Sequence, residues 1–142
     1  MTKMILIFFI LIIIPLSSVA QNKGVFIVNI TGINEIEGIV YVSIYNSHDG
    51  FPTKPEKAMI IKQDTVTSKS ITVRFENIED GYYAVSVYHD ENSNNELDTN
   101  FLGIPNEPIG VSNNVHGTMG PPSFEDAMFN FINNKSIAIE LN

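Results

Sequence analysis

Short runs in which apolar and polar residues alternate, cut by Gly, Asn, Asp and Pro, constrain the fold of this chain more than any other feature. A period of two places alternate side chains on opposite faces of an extended strand. Ile71–Phe75 is the clearest case, with Ile71, Val73 and Phe75 facing in and Thr72 and Arg74 facing out. Tyr82–His89 sets Tyr83, Val85 and Val87 against Ala84, Ser86 and Tyr88, and Ile39–Tyr45 sets Val40, Val42 and Ile44 against Ile39, Tyr41, Ser43 and Tyr45. Val25–Thr31, Ala58–Gln63, Ala127–Ile132 and Ser136–Leu141 complete seven candidate strands. Asp80-Gly81 and Asn133-Asn134 supply turns, because Gly and Asn tolerate positive φ. No amphipathic helical pattern separates the strands, which disfavours helix-rich α/β folds. The pattern predicts an all-β chain: a single antiparallel β-sandwich of about seven strands with one long ordered loop.

The first 20 residues stand apart. Lys3 is followed by an unbroken apolar run, Ile5–Ile14, then Pro15 and the small residues Ser18-Val19-Ala20. This is the pattern of a secretory signal peptide, and ten apolar residues are too few for a membrane span of about 20. The expectation is a signal at 1–20 and one β-sandwich domain at 21–142, secreted to the periplasm or outside the cell, with no membrane insertion after signal removal. Cysteine is absent, which excludes a lipid-anchored signal, a disulfide scaffold, a thiol nucleophile and a thiolate metal site. The chain's net charge of −8 becomes −9 once Lys3 is removed. That balance argues against nucleic acid and anionic membrane surfaces as partners, since both demand clustered Lys or Arg.

Asp90–Ser123 breaks the alternation with 34 residues rich in Asn, Gly and Pro. Loops this long within a compact domain are uncommon and often functional. Its opening, His89-Asp90-Glu91-Asn92-Ser93-Asn94-Asn95-Glu96-Leu97-Asp98, staggers oxygen side chains at Asp90, Asn92, Asn94 and Asp98. With Asp90 as position one, these are positions one, three, five and nine of a calcium-type loop, where a hard cation collects six to eight oxygens. Asn95 holds position six, which needs a left-handed turn, and Glu96 holds position seven, whose carbonyl is the ligand. Position twelve is Phe101 rather than the bidentate Glu of an EF-hand, so Asp98 or Glu107 would have to close the site. The candidate metal residues are therefore Asp90, Asn92, Asn94, Glu96, Asp98 and Glu107, with calcium as the candidate cofactor and modest affinity expected.

Other chemistry is poorly supported. His48, His89 and His116 lie far apart in sequence and lack the spacing of a zinc hydrolase. Neither a Gly-x-Ser-x-Gly elbow nor a glycine-rich phosphate loop is present. Phe51-Pro52, Phe101–Pro105 and Gly120–Phe124 place apolar side chains in loops, where their expected role is to tether those loops to the sandwich.

The stretch Phe75–Val85 resembles the transthyretin-like or immunoglobulin-like sandwiches. The string His89–Glu107, with Gly110–Asn114, Gly120–Ala127, Gly38–Tyr45, Gly50-Phe51-Pro52 and Gly81–Tyr88, resembles domain-of-unknown-function family 2141, small secreted bacterial proteins. Asn95 stands where that family usually has Gly, and Pro108–Val111 departs from its more aromatic pattern. The resemblance implies a secreted all-β domain and names no substrate.

Three readings follow. The first is a non-enzymatic binding or structural module whose ion-ordered loop presents Phe101, Ile104 and Pro105 to a protein or glycan ligand. The second is a metal-dependent hydrolase using His89, Asp90 and His116. The third is a purely structural loop without an ion, with Asp90 and Asp98 pointing apart or capped by backbone donors.

Overall fold

A computed structural model describes residues 22–142; the expected signal peptide lies outside the described residues. Eight strands form two sheets: β1 (Lys23–Thr31), β2 (Ile39–Tyr45), β3 (Ile60–Thr65), β4 (Ile71–Glu79), β5 (Gly81–Asp90), β6 (Ile109–Val111), β7 (Phe129–Phe131) and β8 (Lys135–Glu140). One sheet has the order β4-β1-β8. The other runs β3-β2-β5-β6, and β7 pairs with the first residues of β5. The two sheets pack face to face, as the alternation predicts.

The inward residues of both sheets make one core. Val28, Ile30, Val40, Val42, Ile44, Val85 and Val87 are fully buried in it. Phe26 contacts the rings of Phe75, Phe129 and Phe131 at centroid distances of 6.1, 5.2 and 5.7 Å. Each such ring contributes roughly 1.5–3 kcal/mol by leaving water. In β4, Ile71, Val73 and Phe75 are buried while Thr72 and Arg74 are exposed.

β2 and β5 are buried on both faces. The core covers one face, and loops cover the other. Phe51, from the turn after β2, and Phe124, from the one-turn helix α1 (Phe124–Ala127), pack on Ala84, Val111 and Ala127. Phe51 meets Tyr45 and Phe124 edge-on, at 5.3 and 5.9 Å. These rings tether loops to the sheet, as expected from the sequence. Phe101 does not: it is 95% exposed.

Two features differ from the sequence expectation. β6 lies inside the presumed strand-free loop; three residues are too short for periodicity to reveal. β1 and β8 are paired in parallel within an otherwise antiparallel arrangement. The turn between β7 and β8 is present, with Asn133 at φ 56°, but it carries the chain from one sheet to the other. Asp80 Oδ1 accepts the Asn133 N–H and Asn134 Oδ1 accepts the Val25 N–H, both at 2.8 Å. Those side-chain bonds pin the crossing and deliver β8 to the free edge of β1. Among the described residues no helix is long and apolar enough to cross a membrane.

Candidate functional site

β5 is the rigid support of the long loop. Its last two residues, His89 and Asp90, are fully buried, and successive strand residues face opposite ways. His89 Nε2–H donates to the Glu37 carbonyl, 2.7 Å away, and the His89 backbone N–H donates to the Pro108 carbonyl at 2.9 Å. Ring and backbone of His89 together thus tie the segment before β2 to the far end of the loop. Its Nδ1 is buried, 3.8 Å from Glu91 Oε1. Gly38 makes this junction possible. Its φ is +77°, and a Cβ there would run into the Asp90 carbonyl.

Asp90 organises the loop. Its Oδ1 accepts the Asn94 N–H at 3.1 Å and its Oδ2 the Asn95 N–H at 2.8 Å. These are the N–H groups of positions five and six. Asn95 adopts the left-handed conformation, φ 66°, which allows the chain to fold back over the carboxylate. Asn92 Oδ1 accepts the Asn94 N–H at 3.0 Å, and Asn94 Oδ1 accepts the Glu96 N–H at 2.9 Å. Asp98 closes the ring, taking the amide groups of Asn92 and Asn94 at 2.6 and 3.0 Å.

Glu107 joins from the other side of the long loop. It is buried, and it accepts the Glu91 N–H at 3.1 Å and the Asp98 N–H at 3.0 Å. Burial pushes its carboxyl above the usual range, helped by the charges of Asp90 and Asp98 and opposed by the two backbone donors. The loop therefore brings together Asp90, Asn92, Asn94, Asp98 and Glu107. Glu96 enters only through its backbone, and its side chain is exposed. Among the described residues no three His, Asp or Glu side chains are grouped as a ready-made metal site.

Tyr41 was not singled out by sequence reasoning. Its hydroxyl donates to Asn95 Oδ1 at 2.8 Å, and its ring stacks on Tyr88 at 4.7 Å with an interplanar angle of 5°. Burial and then the Asp90 charge raise its pKa. Only register shows that Tyr41 and Tyr88 are direct cross-strand partners, so nothing in the linear pattern pointed to it.

Beyond Asp98 the chain forms a finger. Thr99 and Pro105 face each other in an antiparallel bridge, and the Asn106 N–H returns to the Asp98 carbonyl at 2.8 Å. Asn100 Oδ1 caps the Leu102 and Ile104 N–H groups at 2.9 and 3.1 Å. The hydrolase residues are not brought together. His89 is buried against a carbonyl, both Asp90 oxygens hold backbone N–H groups, and His116 is exposed with Nδ1 3.2 Å from Asn142 Nδ2.

These features define a class: a β-sandwich domain carrying one long, internally hydrogen-bonded loop at the end of its central strand. The chain belongs to the family described as uncharacterized protein conserved in bacteria (DUF2141), whose model matches residues 28–140. No curated protein sequence and no solved structure matches it.

Proposed function

We propose that this protein is a secreted, non-enzymatic binding or structural module whose Asp90–Asp98 loop takes a calcium-type cation, and whose partner is a protein or a glycan. The observation that carries the reading is the hub at Asp90. One carboxylate holds the N–H groups of positions five and six while Asn95 turns left-handed, and the side chains of positions three, five and nine meet one another. A cation would displace the Asn92 and Asn94 amide donors from Asp98, and the amides would present oxygen instead of nitrogen. Export through the signal at 1–20 would place the loop in calcium-rich surroundings, and the exported chain would then begin at Gln21.

The test is thermal unfolding in EDTA and in millimolar Ca²⁺. At free ion a hundred times Kd, linkage gives about 2.7 kcal/mol of stabilisation. Asp98→Asn should lose the Ca²⁺-dependent gain while melting like wild type in EDTA, because the Asp98 carboxylate bonds only to side chains. Asp90→Ala is the harsher variant, since it also frees two backbone N–H groups. A second reading has its own observation: Asp90 and Glu107 already have every carboxylate oxygen on a backbone N–H, so the loop closes without an ion. Identical melting in both buffers selects that reading.

A further inference from the structure

The finger forms one wall of a cleft of about 540 Å³. The floor is β6, Ile109–Val111. The near wall is Leu102–Pro105, and the far wall is the segment Val115–Pro122. Gly117 and Gly120 approach so closely that a Cβ on Gly117 would overlap the Gly120 carbonyl. The volume is that of an ordinary small-molecule site. Leu102 and Ile104 line it while remaining 68% and 55% exposed, and Phe101 and Met119, next along the two walls, are 95% and 99% exposed. A folded chain rarely leaves apolar side chains grouped in this way without a use for them.

The polar groups in the cleft are few. His116 lines it, with Nδ1 accepting from the Asn142 amide at 3.2 Å. That bond places the ring proton on Nε2, which no hydrogen bond occupies among the described residues. Glu140 is the charged side chain of the lining, and the chain as a whole carries −8. A negatively charged ligand would meet repulsion and no cation.

We infer that this cleft binds a small, predominantly apolar molecule that bears a hydrogen-bond-accepting oxygen and no negative charge. The inference rests on reading the protein as a binding module and names the class of its ligand. Apolar contacts with Leu102, Ile104 and Ile109 supply the affinity, and His116 Nε2–H orients the ligand oxygen.

The test is a fluorescence titration of the purified protein, in EDTA, with prodan, a neutral apolar ketone whose emission shifts to the blue when it leaves water. The expected result is saturable binding of one prodan per chain. Ile104→Glu, at an exposed position on the cleft wall, should weaken binding at least tenfold. Ile61→Glu, also at an exposed position but on β3, should leave it unchanged. His116→Phe should weaken it several-fold. Absence of saturable binding overturns the inference, as does an equal loss from Ile61→Glu, or binding of the anionic probe anilinonaphthalene sulfonate as tight as that of prodan. Prodan binding in EDTA together with Ca²⁺-independent melting would sink the calcium reading alone. A Ca²⁺-dependent melt without prodan binding would sink this inference alone.

Discussion

Glu107 holds the two sides of the long loop together through one buried carboxylate, and its protonation is linked to stability. Its folded pKa is raised, first by burial and then by Asp90 and Asp98. A raised carboxyl contributes stability that is fully present below the unfolded value, about 4.3, and is lost as pH rises through the folded value. Lowering pH from 7 toward about 4.3 should therefore raise the stability of wild type relative to Glu107→Gln. Denaturant melts of both proteins across that range test this; parallel stability curves would refute it. Asn95 shows what was legible at this scale. Its place at position six of an Asp/Asn stagger announced a left-handed turn, and φ is 66°. Glu107's two backbone partners were not legible, because they lie 16 and 9 residues away and nothing local selects them.

At the scale of elements, strands and loops are held by different forces. The strands share one apolar core, and Phe51 and Phe124 extend apolar cover to the outer face of the second sheet. The finger has no such cover. It is held by backbone bonds and by Asn100. Two variants should separate these regimes. Phe51→Ala should lower global stability by about 3 kcal/mol, the low end for aromatic truncations, because the ring is half-buried. Asn100→Ala should cost less than about 1 kcal/mol globally yet speed amide exchange at Leu102 and Ile104. Exchange unchanged at those amides would mean that the finger is held elsewhere. Alternation located most of the strands. It missed β6, three residues that pair with β5 only after the long loop has turned the chain back.

For the whole molecule, the tyrosines report the integrity of the sandwich. Burial pushes Tyr45 up to about 12 and raises Tyr88, Tyr41 and Tyr83 as well. Each contributes stability present below about pH 10, the unfolded value, and lost as pH climbs toward the folded values. Alkaline unfolding should therefore be cooperative, with the main rise in tyrosinate absorbance coinciding with loss of the strand circular dichroism signal. Complete tyrosine ionisation with that signal intact would contradict the burial described here. The amino-acid sequence by itself determined the all-β class, the inward faces of the strands and the local turn chemistry of Asp90–Asp98, because period, turn propensity and side-chain-to-backbone bonding act over a few residues. Only the tertiary structure decided that β8 runs parallel to β1, that Glu107 and Tyr41 join the loop, and that the finger and the Val115–Pro122 segment face each other across a cleft. Those contacts join residues that no local pattern pairs, and they form only as the strands assemble into sheets.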